Sequence, residues 1–101
     1  MAVLELVTFK LLEGTSEQAF LTENENLNHW VKSQPGFEYR VLAKTDDGSW
    51  TDTVFWQDMA SAKAAQENFT KQKSLEGMLK LLDMASVKVE HQNIMTMQAP
   101  A

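Results

Sequence analysis

The pattern of apolar and polar positions begins with a strand followed by a helix. Residues 3–11 alternate loosely and are largely apolar on both faces, which is typical of a strand in the middle of a sheet. Thr15 and Gln18 form a capping box, so we expect a helix to begin there. This helix should end near Ser33, because the residue before a proline is pushed out of the helical region.

The predicted first helix carries one apolar stripe. At about 100° per residue, the positions on this stripe are Phe20, Asn24, Leu27 and Val31, with Asn28 and Trp30 on its two flanks. His29 lies on the opposite side and is expected to face water. Asn24 is polar within the stripe, so it is expected either to hydrogen-bond a ligand carbonyl or to face water near a frayed edge.

A β-hairpin is predicted next. The turn sequence Asp-Asp-Gly-Ser separates strand patterns at 37–44 and 50–57. Centring the turn on Asp47-Gly48 gives three cross-strand pairs: Tyr39 with Trp56, Val41 with Val54, and Ala43 with Asp52. In this register one face of the hairpin is aromatic and aliphatic, and the Asp52 carboxylate lies among these apolar side chains.

The last third of the chain predicts a helix, a short amphipathic segment and a final strand. Asp58 or Ser61 is expected to cap the helix, which has a thin stripe formed by Ala62, Ala65 and Phe69. After an interruption at 71–74, the apolar positions of the short segment are Leu75, Met78, Leu79 and Leu82. The final strand is predicted from Ser86 to Met97, with Val87, Val89 and His91 on one face.

The resulting order is βαββαβ, which predicts an α+β fold of the ferredoxin-like type over residues 1–101 as a single domain. Its four-stranded antiparallel sheet would carry two helices on one face. The other face would expose Leu4, Leu6, Leu42 and Phe55. A second copy of the same sheet is the simplest cover for a chain of this size, so a homodimer through this sheet face is expected.

Four features together resemble the dimeric α+β barrel superfamily, and most closely the antibiotic biosynthesis monooxygenase group. They are the Gln-Pro-Gly-Phe turn at 34–37, the strand Trp-Thr-Asp-Thr-Val-Phe-Trp at 50–56, the alanine-rich second helix and the lone His91 on the last strand. The resemblance covers residues 3–95 and implies the fold and the dimer. The group includes cofactor-independent oxygenases, haem-degrading enzymes and isomerases.

The haem-degrading branch of that group requires an Asn on the first strand and a Trp and a His on the second helix. The corresponding positions hold Val7, Ala64 and Ser74. Because the axial histidine is missing there, haem is not expected to bind in the manner of that branch. We therefore expect no cofactor.

Composition excludes several classes of protein. The net charge of −5 argues against nucleic-acid binding, which depends on clustered Lys and Arg. Polar residues interrupt the apolar N-terminal segment, so no membrane span is expected. The chain has no cysteine, which removes disulfides and thiolate metal sites and fits a cytoplasmic location. Two histidines on unrelated elements provide no metal-binding spacing.

His91 is the candidate base, because its unperturbed pKa suits proton transfer near neutral pH and it lies on an apolar strand face. Glu5 and Asp52 are carboxylates among apolar neighbours, and either could orient His91 or bind a substrate hydroxyl. Asp52 is near the hairpin tip, where a solvated carboxylate is the simpler interpretation. Trp56 and Tyr39 would form a flat wall for a planar ligand. Arg40 is expected on the opposite sheet face, as an ion-pair partner at the dimer interface.

The residues leave two hypotheses open. In the first, the protein is a cofactor-independent, monooxygenase-like enzyme for a small planar organic molecule. His91 would remove a proton to give an anion that reacts directly with oxygen, while Trp56, Tyr39 and Asn24 hold the substrate. In the second, it is a non-catalytic homodimer that binds a small apolar or aromatic ligand or is purely structural, with His91 bonded to protein groups. The first hypothesis requires a closed pocket into which His91 reaches, whereas the second requires that no cavity be larger than a few waters.

Overall fold

The strands and helices follow the βαββαβ order that the sequence predicts. The computed structural model describes residues 2–101. Its elements are, in order, β1 (Val3–Leu11), α1 (Glu17–Lys32), β2 (Phe37–Lys44), β3 (Trp50–Trp56), α2 (Met59–Phe69), a 3-10 turn (Lys73–Leu75), α3 (Glu76–Leu79) and β4 (Leu82–Asn93). Among these elements no helix is long and apolar enough to cross a membrane.

The four strands form one antiparallel sheet in the order β2-β3-β1-β4. The central position predicted for β1 is therefore confirmed. The helices cover one face, where the core forms two clusters. Phe9, Phe20 and Trp50 make an aromatic group in the first cluster, and the Phe20 and Trp50 ring centroids are 4.9 Å apart. Val3, Val31 and Trp56 lie in the second cluster.

The first helix begins one residue later than the capping box predicts. Ser16, not Thr15, is its N-cap, because Ser16 has an extended backbone and its hydroxyl accepts the Ala19 N–H at 3.0 Å. The predicted stripe is confirmed, since Phe20, Asn24, Leu27 and Val31 are the buried residues of α1. The helix ends at Lys32, close to the predicted end at Ser33.

The predicted hairpin register is wrong by one residue. Arg40 pairs with Val54 and Leu42 with Asp52. The Thr45 N–H donates to the Ser49 carbonyl at 2.8 Å, so the loop has three residues and ends at Gly48, whose φ is +91°. Such a loop needs a left-handed residue in its last position, which glycine supplies. A shift of one residue moves every β2 side chain to the other face of the sheet.

This shift changes the composition of the face that no helix covers, called here the outer face. Leu4, Leu6 and Phe55 lie on it as predicted, but Leu42 packs against the core on the helix side. Tyr39 and Val41 replace it. Tyr39 pairs with Phe55, with ring centroids 6.3 Å apart, so the predicted contact between Tyr39 and Trp56 is wrong.

The last strand lies nearer the start of the chain than predicted. It runs from Leu82 to Asn93 rather than from Ser86 to Met97, because the buried Leu82 already pairs with Leu11 of β1. Asp58, one of the two predicted caps, begins α2 by accepting the Ser61 N–H at 2.8 Å. The backbone hydrogen bond to Ser61 lowers the pKa of Asp58.

Candidate active site

One row of directly paired residues crosses all four strands on the helix-covered face. Arg40 on β2 pairs with Val54 on β3, Val54 with Glu5 on β1, and Glu5 with His91 on β4. Directly paired residues of an antiparallel sheet project their side chains to the same side. The fold therefore sets a guanidinium, an aliphatic side chain, a carboxylate and an imidazole side by side.

Glu5 and His91 form a pair at one end of this row. The His91 Nε2 lies 3.1 Å from the Glu5 Oε2, and the two side chains are 19% and 15% exposed respectively. Burial raises the pKa of Glu5, the contact with His91 partly opposes this, and the Asp52 charge adds to it. A carboxylate with a raised pKa is a stronger base than an ordinary glutamate.

A cavity of about 240 Å³ lies between the sheet and the helices, and Glu5 is part of its wall. Trp30 on α1 and Phe69 on α2 form an aromatic side of the cavity, with ring centroids 5.9 Å apart at an angle of 69°. Most of the remaining wall is apolar and includes Val7, Val54, Trp56, Ala65, Leu79 and Val87. An apolar cavity of about 150 Å³ holds benzene, so this one has room for a larger ring system.

The cavity opens beside β4. Met84 and Val89 belong to its wall and are also 60% and 46% exposed. Gln66 on α2 and Thr70, the C-cap of that helix, add polar groups to the same cavity. His91, on the same edge strand, contacts Glu5 but is not part of the wall, so it does not reach into the cavity as the first hypothesis requires. Glu5 therefore faces the cavity, with His91 beside it on the edge strand.

Arg40 belongs to a buried polar cluster in the cavity wall. Its Nε and Nη2 donate to the two carboxylate oxygens of Asp52 at 3.0 and 2.8 Å, and its Nη1 donates to the Asn28 Oδ1 at 2.6 Å. The Arg40 and Asp52 side chains are only 6% and 11% exposed. Two interpretations from the sequence are thus wrong, because Asp52 is not solvated and Arg40 does not lie on the outer face. The Arg40 error follows from the hairpin register, whereas the Asp52 error came from its closeness to the hairpin tip.

The other predicted site residues are dispersed. Trp56 lies in the cavity wall, and its Nε1 is buried without a hydrogen-bond partner among residues 2–101. Asn24 is also buried and its Oδ1 is likewise unpartnered, but it is not part of that wall. Tyr39 is 64% exposed on the outer face, away from the cavity. Of the two carboxylates considered, Glu5 is the one that contacts His91.

Three residues of the site have roles that the sequence did not indicate: Arg40, Trp30 and Phe69. Trp30 is on a flank of the α1 stripe and Phe69 is at the end of the α2 stripe, so both were recognisable as inward-facing but not as ligand-facing. Arg40 and Asp52 are 12 residues apart across a hairpin. Only the observed register brings their side chains to the same face of the sheet, where they form an ion pair.

The donor atoms available for a metal or haem are few. Within residues 2–101, no three side chains of His, Asp or Glu are grouped so that they could hold a metal ion. Val7, which stands where the haem-degrading branch has its Asn, is an apolar part of the cavity wall. Ala64 and Ser74, at the positions of the Trp and the His, are exposed. Their side chains offer no nitrogen ligand for iron.

Comparison with solved structures identifies the class of fold. The chain is similar to a protein from Bordetella bronchiseptica provisionally assigned as an antibiotic biosynthesis monooxygenase, with a TM-score of 0.79 and 12% identity over 94% of this chain and 98% of that one. It is also similar to SnoaB, a cofactor-independent oxygenase from Streptomyces nogalater, with a TM-score of 0.65 and 19% identity over 97% and 95% of the two chains.

A protein of unknown function from Nitrosomonas europaea, NE2512, is similar as well, with a TM-score of 0.72 and 13% identity over 99% of this chain and 95% of that one. No protein-family model matches the chain, and no curated protein matches it. The resemblance to the antibiotic biosynthesis monooxygenase group is therefore confirmed for the ferredoxin-like fold.

Proposed function

We propose that this protein is a cofactor-independent oxygenase for a small, planar organic molecule with an acidic proton. The observation that carries the proposal is the Glu5 carboxylate, held by His91, in the wall of an apolar and aromatic cavity. Desolvating an ionisable pair costs free energy, and ionisable groups perturbed in this way cluster at functional sites. The fold shared with an oxygenase supports the same assignment by analogy.

In this proposal the Glu5–His91 pair is the base. Glu5 removes a proton from a carbon next to a carbonyl group or an aromatic ring, and the His91 imidazole exchanges that proton with solvent at the sheet edge. The low polarity of the cavity favours transfer of the proton to Glu5, since a charged carboxylate is poorly solvated there. His91 thus acts through Glu5 rather than on the substrate directly.

The carbanion then reacts with molecular oxygen, which is the oxidant. A C–O bond forms, one proton returns to the outer oxygen, and the product is a hydroperoxide. Loss of water converts a CH₂ group into a carbonyl group, so that one oxygen atom of O₂ enters the product and the other leaves in water. The substrate supplies all of the electrons, which is why this route uses no metal or flavin.

The aromatic wall would hold the substrate ring. Trp30 and Phe69 supply two rings that pack edge to face against each other, and Trp56 adds a third aromatic side chain to the wall. Asn24, Tyr39 and Asp52 have no direct contact with substrate in this proposal.

We also propose that a second copy of the chain covers the outer face. Leu4, Leu6 and Phe55 are only half-buried there, and Tyr39 and Val41 are 64% and 42% exposed. A contiguous apolar sheet face of this kind is unusual on a monomer. A pairing of two identical faces about a two-fold axis is the simplest closed arrangement, because the same surface of each copy is then buried against the other. We place the protein in the cytoplasm, which its lack of cysteine favours.

Oxygen uptake tests the enzymatic proposal. The purified protein is mixed with 2-tetralone or with dihydroxynaphthalenes in an oxygen electrode. We expect uptake that falls by roughly a hundredfold or more in Glu5→Gln, and less severely in His91→Gln. The exposed His29 on α1 supplies the matched control, since His29→Gln should leave uptake unchanged.

The second hypothesis predicts a different result. If these compounds quench the fluorescence of the cavity tryptophans but no variant or wild type consumes oxygen with them, the protein is a binding protein for such ligands. The proposed oxygenase function would then be wrong, while the cavity would still be a ligand site.

A further inference from the structure

A large bulge in β4 shapes the cavity wall on its open side. The pairing of β4 with β1 shifts between Thr8 and Lys10, so that the single residue Phe9 corresponds to residues 84–87 of β4. The positions that line the cavity are even-numbered before the bulge and odd-numbered after it. Both halves of the strand therefore contribute to the wall, with Leu82, Met84, Val87 and Val89.

Hydrogen bonds within the bulge fix its shape. The Ser86 Oγ accepts the Lys10 N–H at 2.8 Å and donates to the Asp83 carbonyl oxygen at 2.6 Å. The Ala85 N–H donates to the Asp83 Oδ1 at 3.2 Å. Met84 lies between these bonded residues, so its backbone is held beside the opening of the cavity.

Met84 is the one methionine of residues 2–101 that is both exposed and part of the cavity wall. Met78 belongs to the same wall but is only 4% exposed. Met95 and Met97 are at least as exposed as Met84, but they lie outside the wall. The Met84 thioether is therefore accessible from solvent and from the cavity, and a second copy on the outer face would leave it so.

The cavity would orient an aromatic hydroperoxide with its reactive group toward Met84. Trp30 and Phe69 favour the aromatic ring in the interior, where a hydroperoxy group would lose its hydration. Gln66 and Thr70 are exposed wall residues that can hydrogen-bond a polar group at the opening. The ring should therefore enter first and leave the hydroperoxy group at the opening, beside the thioether.

We infer that Met84 is an oxidation site to which the cavity directs apolar aromatic hydroperoxides. The thioether sulfur attacks the outer oxygen of the hydroperoxy group, an S–O bond forms and the O–O bond breaks. The sulfur is oxidised to a sulfoxide, the hydroperoxide is reduced to an alcohol, and the proton of the outer oxygen passes to the inner one. The inference goes beyond the proposed function and does not depend on it, because the hydroperoxide is supplied from outside.

Oxidation of Met84 should weaken the binding of ligands to the cavity. A thioether is apolar, whereas a sulfoxide is polar. At the opening the sulfoxide would place a group that requires hydration next to Val87 and Val89. The modification therefore lowers the affinity of the cavity for apolar rings.

Two peroxides of different size test the oxidation site. Trypsin places Met78, Met84 and the two C-terminal methionines in separate peptides, 74–80, 81–88 and 89–101, and mass spectrometry follows the sulfoxide in each. Hydrogen peroxide does not benefit from an apolar cavity, so it should oxidise Met84 no faster than Met95. We expect cumene hydroperoxide to raise the ratio of the Met84 rate to the Met95 rate roughly tenfold or more, because binding brings it beside the thioether. Saturating naphthalene should remove this excess, and Met78 should stay reduced.

Naphthalene binding, measured from the fluorescence of the cavity tryptophans, tests the effect of the modification. Treatment of wild type with cumene hydroperoxide should raise the Kd roughly threefold or more. Met84→Leu has nearly the same volume and no sulfur, so the same treatment should leave its Kd unchanged. Met95→Leu is the matched control and should lose affinity as wild type does.

The possible results are distinguishable. An equal rate ratio with the two peroxides, an excess that naphthalene does not remove, or oxidation of Met78 as fast as Met84 overturns the inference. Failure of folded wild type to bind naphthalene overturns it as well, and unchanged binding after complete oxidation of Met84 overturns the predicted loss of affinity. Oxidation directed to Met84 supports the inference even if no oxygen is consumed in the electrode, in which case only the oxygenase function fails.

Discussion

Loss of Arg40 alone should destabilise the protein strongly. In Arg40→Met both oxygens of the Asp52 carboxylate lose their donors, and the Asn28 Oδ1 loses its partner at 2.6 Å. The side chains of the pair are 6% and 11% exposed, so solvent cannot replace these contacts. Removing one partner of a buried ion pair typically costs about 3–5 kcal/mol. That is a large part of the roughly 5–15 kcal/mol that stabilises an ordinary domain.

We expect a double variant that removes both partners to be much less affected. Arg40→Met with Asp52→Leu removes the charge together with its partner and places apolar groups against an apolar wall. Only the lost donor of the Asn28 Oδ1 then remains, so the net cost should be about 1–2 kcal/mol. The control is Glu17→Gln, which breaks a pair with Lys44 whose side chains are 39% and 54% exposed. An exposed pair is worth no more than about 1 kcal/mol.

Urea unfolding followed by tryptophan fluorescence measures all three variants. We expect Arg40→Met to be the least stable variant and the double variant to recover most of the loss. If Arg40→Met loses less than about 1 kcal/mol, or if the double variant is as unstable as the single one, then the cluster is not the buried, mutually dependent unit described above.

Three further predictions test other parts of the structure. Burial raises the pKa of Glu5, so the folded state holds that proton more tightly and wild type loses stability as the pH rises from the ordinary glutamate value through the raised one. Glu5→Gln should therefore gain stability relative to wild type over this interval, and parallel urea-melt curves between about pH 4 and pH 8 would contradict the raised pKa. Ser16→Ala should lower the free energy of unfolding by about 0.5–2 kcal/mol in thermal melts, whereas Thr15→Ala should lower it far less. The reverse order would show that Thr15 is the N-cap of α1. Phe55→Asp should give a monomer or an unfolded chain in sedimentation velocity, because it buries a carboxylate in the proposed dimer interface, and unchanged assembly would argue against that interface.

The sequence was sufficient for the order of the elements because the apolar spacing changes clearly between strands and helices. The bounds of β1 and the buried stripe of α1 depend on local patterns of this kind. The register of the hairpin does not, because Asp-Asp-Gly-Ser fits either a two-residue or a three-residue loop, each with its glycine in a left-handed conformation. The choice between them decides whether Tyr39 or Arg40 faces the helices.

Half of the candidate site depended on this choice. Arg40 and Asp52 come together only in the observed register. A turn centred one residue away places their side chains on opposite faces of the sheet. Glu5 and His91 are 86 positions apart and meet because β1 and β4 pair directly. Each could be recognised as a polar residue on an apolar strand, but their contact depends on tertiary structure.

The removal of a proton within the cavity is the central claim, and hydrogen exchange on a carbon acid measures it without oxygen. The protein is incubated under nitrogen in D₂O with 2-tetralone, and NMR follows the loss of the proton signal at the carbon between the ring and the carbonyl group. We expect wild type to accelerate this exchange over buffer, with an acceleration that falls by roughly a hundredfold or more in Glu5→Gln. Exchange that is equally fast with Glu5→Gln and wild type would contradict the claim that Glu5 is the base.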